Sequence, residues 1–259
     1  MEMVNTVTFD FSAPARFDEA SGIVCNPAPG SFDYWWQRRG HRVEAVNQRR
    51  NGVSGVTRLT PLEPGFAPLY CKRQEGHLYR SLRHPLGRPT IWREMAAYHA
   101  YARLGVATPR LIYGGIRKTR AGWQALLVTE ELSGFVSLED WYQGTPAVAQ
   151  SRAVLKAVAA MLARLARGGW RHGCCYAKHV FVRVGDDGGA QAALLDLEKS
   201  RRVWLSALPW RAPGVRDLDQ LARHCGAMPA EDLQFLRDQY QLNLKNDVSP
   251  IHAQTHAPK

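Results

Sequence analysis

No stretch of this chain approaches the roughly 20 consecutive apolar residues that cross a bilayer as a helix. The longest apolar run, Ala153 to Ala166, is interrupted by Lys156 and Arg164. Met1 to Asp18 has no basic segment followed by an apolar core, so no secretory signal is expected. The five cysteines, Cys25, Cys71, Cys174, Cys175 and Cys225, form no CxxC pair. An odd number without a signal points to a reducing compartment and away from a disulfide framework. Neither a Walker A motif nor a full GxGxxG is present. Helix-turn-helix, zinc-finger and RNA-recognition signatures are missing too, and no internal repeat is visible.

Acidic residues are also scarce, 23 against 34 Lys and Arg, which leaves a net charge of +11. Such a surface attracts polyanions: nucleic acid, anionic headgroups or phosphorylated substrates. The arginines are spread along the chain rather than gathered in one block, which weighs against nucleic acid. A peripheral, salt-sensitive attachment to an anionic membrane surface is therefore expected. At 259 residues, 45% of them hydrophobic and 22% charged, the chain is long enough for one bilobed unit or two small domains. Its core should need neither a disulfide nor a structural metal.

The order of elements divides the chain. Residues 1–30, rich in Pro, Gly, Ser and Ala, read as a loosely packed lead-in. His41 to Gln48 and Val53 to Leu59 read as strands around an Asn51-Gly52 turn, and Leu69 to Lys72 as a third. A long basic connection follows from 73 to 89. Thr90 to Leu104 reads as a helix capped by Thr90 and closed by Gly105, with Trp92, Ala96, His99 and Arg103 on one face. Leu111 to Gly114 and Trp123 to Thr129 read as strands. Ala147 to Arg167, Asp217 to Cys225 and Ala230 to Leu244 read as helices. The expected fold is α+β and bilobed, with a sheet-rich N-lobe over 31–132 and a mainly helical C-lobe over 133–245. Residues 246–259 read as a polar tail.

The chemistry gathers at one hairpin. The loop His172-Gly173-Cys174-Cys175-Tyr176-Ala177-Lys178-His179 leads into Val180-Phe181-Val182. After the turn Gly185 to Gly189, Ala192-Ala193-Leu194-Leu195 carries Asp196. A protein kinase places its catalytic loop and its metal-binding aspartate at the two ends of such a hairpin. Asp196 is the candidate Mg²⁺ ligand, with a turn-capping role as the other reading. Lys72, on the third strand, and Glu94, on the first helix, are the candidate pair that positions nucleotide phosphates. His179 suits a phosphate or Asp196 as a hydrogen-bond partner, or is simply buried in the hairpin. Gly52 and Gly55 in Asn51-Gly52-Val53-Ser54-Gly55 offer backbone N–H groups to an anion, or serve only the hairpin turn. Cys174 stands where a kinase carries its catalytic-base aspartate. It is either a thiol near the reacting hydroxyl or a small packing residue. Glu198 is a replacement carboxylate for that role. Asp217 either braces the loop or caps its own helix.

Taken together, Tyr70-Cys71-Lys72-Arg73, Ser81-Leu82-Arg83-His84-Pro85-Leu86-Gly87, Trp92-Arg93-Glu94, His172 to Phe181 and Leu195-Asp196-Leu197 resemble the lipopolysaccharide kinase family, the InaA/WaaP group of bacterial kinase-like proteins. The resemblance spans residues 35–242 and leans toward the InaA-like branch. It implies a protein-kinase-like fold, ATP with Mg²⁺, and a sugar or lipid-linked glycan as acceptor. It also implies a cytoplasmic setting at the inner face of the inner membrane. A histidine at position 179 is similar to the family pattern, whereas Cys174 departs from the sugar kinases, which carry aspartate there. Two functions follow from this: a phosphotransferase, or a pseudokinase that binds nucleotide or acts as a scaffold.

Overall fold

A central antiparallel sheet organises the first half of the chain. The computed structural model describes residues 7–8, 31–49, 52–59, 67–82, 84–203 and 213–246. These fall into two units. The first takes its described residues from Met1–Ala102, Thr108–Gly134 and Asp196–Ser200; the second from Arg103–Ala107, Phe135–Leu195 and Arg201–Lys259. Two short segments, 103–107 and 196–200, thus belong with the unit on the other side of the boundary expected near Leu132.

In the first unit the elements are β1 (Val7–Thr8), α1 (Phe32–Gln37), β2 (His41–Arg42), β3 (Asn47–Arg49), β4 (Gly52–Leu59), β5 (Leu69–Glu75), β6 (Leu78–Ser81), β7 (His84–Pro89), α2 (Thr90–Arg103), β8 (Leu111–Thr119) and β9 (Gly122–Glu130). The main sheet runs β1-β8-β9-β5-β4-β2, with β3 also paired to β4. Strand β5 is central, paired antiparallel with β4 (Lys72 opposite Val56) and with β9 (Lys72 opposite Leu127). Side chains alternate across a strand. Leu69 and Cys71 accordingly join the cluster formed by Phe32, Trp35, Leu59, Tyr113, Leu126 and Val128. Ser31 caps α1, its hydroxyl accepting from the Tyr34 N–H.

Four expectations change here. The strand read from His41 to Gln48 is two short ones, because Val43 to Val46 breaks the alternation that a half-buried strand requires. The connection from 73 to 89 is the end of β5 and then a hairpin of β6 and β7, which pair only with each other. Within the lead-in, Val7–Thr8 pairs with Ile116 and Gly115 of β8; the rest of 1–30 lies outside the described residues. In α2 the buried stripe is Ile91, Glu94, Met95, Tyr98 and Tyr101, not the face of Trp92, Ala96, His99 and Arg103. The left-handed Gly105 ends this helix region at φ 64°.

The second unit contains β10 (Val136–Ser137), α3 (Leu138–Gln143), α4 (Val148–Arg167), β11 (Trp170–Arg171), β12 (Val180–Val184), β13 (Ala190–Leu194), β14 (Arg201–Arg202), α5 (Pro213–Arg223) and α6 (Ala230–Asn246). Helix α4 is its spine. Val154, Leu155, Val158, Met161, Leu162 and Leu165 are buried at helical spacing. Strands β12 and β13 form the hairpin read from the sequence, with Val180 opposite Leu194 and β10 on its outer edge. In its turn, Gly188 takes a left-handed φ of 75°, and the Asp187 carboxylate accepts from the Gly189 N–H. Helix α6 runs two residues past the expected Leu244, and positions 247–259 lie outside the described residues. Cys71, Cys174, Cys175 and Cys225 are free and buried, whereas Cys25 is outside the described residues. Among the described residues, no helix is long and apolar enough to cross a membrane.

Candidate active site

Strand and helix spacings fix the centre of the site. Lys72 and Gln74 lie on the same face of β5, two residues or ~7 Å apart. Thr90 and Glu94 lie on one face of α2, four residues or ~6 Å apart. The two spacings match, so the elements join by two rungs. The Thr90 hydroxyl donates to Gln74 Oε1 at 2.9 Å, and the Lys72 ammonium donates to Glu94 Oε2 at 3.0 Å. Thr90 therefore anchors the helix to the strand through Gln74 instead of capping it as expected. Gln74, itself buried and also bonded to Ser54, went unnoticed in the sequence.

The segment 196–200 brings two more carboxylates to the same ammonium. Lys72 Nζ is 3.4 Å from Asp196 Oδ1 and 3.0 Å from Glu198 Oε2. Several contacts hold this segment in place. Arg93 donates to the Glu198 carbonyl at 2.7 Å, Tyr101 and Ser200 hydroxyls are 3.0 Å apart, and Leu197 is fully buried. Asp196 has φ 58° and ψ 68°, the one left-handed non-glycine among the described residues. Such a conformation costs about 1–3 kcal/mol. Its side chain makes no cap hydrogen bond to the turn Leu197–Lys199, so the capping reading is set aside. The strained backbone carries the carboxylate to Lys72.

Charge accounting explains what the cluster can hold. Burial works against the Lys72 ammonium, but Glu94, Asp196 and Glu198 outweigh it and hold its pKa well above the ordinary value. Glu94 is only 2% exposed; burial and the neighbouring carboxylates push its pKa up to about 7 despite Lys72. Three carboxylates around one ammonium leave the centre short of positive charge. One oxygen from each of Glu94, Asp196 and Glu198 lies within 4.8 Å of the others. An all-oxygen, anionic donor set of this kind fits a hard divalent cation such as Mg²⁺.

Glu198 has a second partner that was not anticipated, the His77 ring at 3.3 Å. Burial opposes its charge, but the His77 hydrogen bond and Lys72 prevail and lower its pKa to about 2. The structure thus places the expected substitute base between the Lys72 ammonium and the His77 ring. A pH test follows. With no metal bound, the charge of Glu198 stabilises the fold fully above its ordinary 4.5, and that contribution is lost as pH falls toward about 2. The shift corresponds to on the order of 3 kcal/mol. Glu198→Gln is expected to flatten the acid limb of a stability profile followed by circular dichroism. Parallel profiles for the two proteins would contradict the assignment.

In the second unit, Asp217 shapes the loop that follows β11. It does not open its helix, which begins at Pro213; its carboxylate accepts from the backbone N–H groups of His172 (2.8 Å) and Gly173 (2.9 Å). Burial raises its pKa to about 6 even so. Gln220 accepts from the Cys175 N–H and donates to the Gly173 carbonyl. Gly173 permits the bend at φ 77°. His172 is fully buried, with Nε2 2.9 Å from the Leu195 carbonyl, and so ties the loop to the end of β13. His179 Nδ1 is 2.9 Å from the Cys174 carbonyl, so this ring helps to fix the loop. The Cys174 residue is 4% exposed, and burial drives the neighbouring Cys175 thiol well above its ordinary pKa. Both cysteines are buried, so Cys174 does not face solvent.

Gly52 and Gly55 stand inside strand β4, paired within the sheet, and not in an open loop. A Cβ on Gly52 would come within 2.5 Å of the Gly76 carbonyl, so this glycine permits a close backbone approach. Gly55 has only the Val46 side chain near, at 3.7 Å. Asn51, the other part of the expected phosphate cradle, lies outside the described residues.

Comparisons with known proteins bear on the family and the fold. Residues 33–241 match the lipopolysaccharide kinase (Kdo/WaaP) family. Protein InaA of Escherichia coli (strain K12) is 43% identical over 213 residues, covering 81% of this chain and 94% of InaA. The lipopolysaccharide core heptose(I) kinase WaaP of Pseudomonas aeruginosa is 28% identical over 168 residues, 62% of each chain. A solved structure described as WaaP in complex with acyl carrier protein superposes with a TM-score of 0.60 at 24% identity, covering 82% of both chains. That likeness shows the kinase-like α+β fold. With a match across most of its length, the chain belongs to the lipopolysaccharide kinase (Kdo/WaaP) family.

Proposed function

We propose that this protein is an ATP-dependent phosphotransferase whose acceptor is a sugar hydroxyl of the lipopolysaccharide core or of another lipid-linked glycan. The observation that carries the reading is the Lys72 ammonium held among Glu94, Asp196 and Glu198. Lys72 would contact the α and β phosphates of ATP, and Glu94 would fix its direction. Asp196 and Glu198 would hold Mg²⁺, which when bound neutralises charge on the phosphate oxygens. Phosphoryl transfer has a loose transition state, so positioning and electrostatics supply most of the rate. A loop without a carboxylate base is compatible with that chemistry.

One observation favours a second reading, a pseudokinase. The loop 172–179 carries no Asp or Glu, and its Cys174 is buried. Thermal-shift titration with ATP and Mg²⁺ tests nucleotide binding. A rise in melting temperature with ligand is expected, and no shift at saturating ATP would remove the phosphotransferase and leave only a scaffold that binds no nucleotide. Substitution at Cys174 then probes the loop. Cys174→Ser is expected to stay within about threefold of native turnover, because a buried thiol that only packs contributes little to the chemistry. Cys174→Asp is expected to lower the melting temperature, since it buries a carboxylate. A large loss of turnover in a well-folded Cys174→Ser protein would make the thiol a participant.

A further inference from the structure

The hairpin of β6 and β7 exposes apolar side chains that a soluble surface does not explain. Leu82, in its turn, is 103% exposed, and Leu86, four residues on, is 91% exposed. No other large hydrophobic among the described residues exceeds 72%. Single exposed leucines are ordinary, but two on one short hairpin, Leu82 in the turn and Leu86 within β7, form a feature. The base of the hairpin is held firmly. Arg88 lies 3.8 Å above the Trp92 ring and 3.2 Å from His84 Nε2, and Arg93 covers Tyr79 at 4.9 Å. The tip is therefore presented on a fixed support.

Charge selects the partner. From His77 through Arg93 the sequence has no Asp or Glu, while it has Arg80, Arg83, Arg88 and Arg93. Exposed leucines in a basic stretch free of carboxylates match the layered chemistry of a bilayer: acyl chains, then anionic headgroups. Strand β7 also carries Pro85 and Pro89. Proline has no N–H, which disfavours an added peptide strand along this edge.

We propose that the β6–β7 tip is a membrane anchor, with Leu82 and Leu86 entering the acyl boundary and Arg80 contacting anionic phospholipid headgroups. Binding of this kind is independent of nucleotide and stands or falls apart from the phosphotransfer reading. It is tested by cosedimentation of the full chain with vesicles of equimolar phosphatidylglycerol and phosphatidylcholine. Native protein is expected to bind at low salt and to release as salt rises. The charge-neutral pair Leu82→Ser/Leu86→Ser is expected to lower the partition coefficient at least ~10-fold, and Arg80→Gln about fivefold. All three residues are exposed, so the variants should keep the native melting temperature. No binding at low salt would overturn the proposal. So would equal binding by the serine pair, an outcome that would leave the hairpin to an acidic protein partner.

Discussion

Asp196→Asn is expected to reduce Mg²⁺-dependent ATP turnover by roughly 10²–10³-fold, the scale of losing one preorganised charged group. Fold stability should not suffer. Asparagine tolerates the left-handed region as well as aspartate does, so the backbone at φ 58° need not change. The substitution also removes one of three carboxylates crowded around Lys72, which relieves repulsion. The variant should therefore melt no lower than the native chain, yet lose the stabilisation that ATP with Mg²⁺ confers. Native-like turnover in this variant would withdraw Asp196 from the metal site.

Lys72→Met is expected to have the largest effect on stability. It leaves Glu94 buried beside two other carboxylates with its ammonium partner gone. Breaking a buried pair from one side typically costs about 3–5 kcal/mol. The double variant Lys72→Met/Glu94→Gln should recover most of that loss, because the stranded buried charge is gone. Neither protein should bind ATP at native affinity. Chemical denaturation of the native, single and double variants measures the coupling directly. A double variant no more stable than Lys72→Met would show that lost packing, not a stranded charge, is responsible.

Much of this site was legible in the sequence because its residues carry chemistry at recognisable positions. Lys72 on an alternating strand, Glu94 in the first turns of a helix and Asp196 after an apolar run announce themselves by type and setting. Other members left weaker traces. Gln74 and Thr90 act through a match between strand and helix spacing that appears only when β5 and α2 are docked. His77 closes on Glu198 over a sequence separation of 121 residues, beyond any local pattern. The helix face was misassigned because Glu94 sits on the buried stripe, where a hydrophobic pattern does not look for a carboxylate. Strands β6 and β7 were missed for a related reason. They pair only with each other, and their burial does not alternate as in a half-buried strand. Cys174 carries two readings in the sequence, and its burial is seen only in the fold.

The central claim is phosphoryl transfer governed by the Lys72, Glu94, Asp196 and Glu198 cluster. The measurement that tests it most directly follows label from γ-labelled ATP into purified lipopolysaccharide core saccharides and lipid-linked glycans, using native protein and Asp196→Asn side by side. The account predicts Mg²⁺-dependent labelling of an acceptor by the native chain and its loss in Asp196→Asn. Tight ATP binding with no labelled acceptor across the panel, or equal labelling by both proteins, would contradict it.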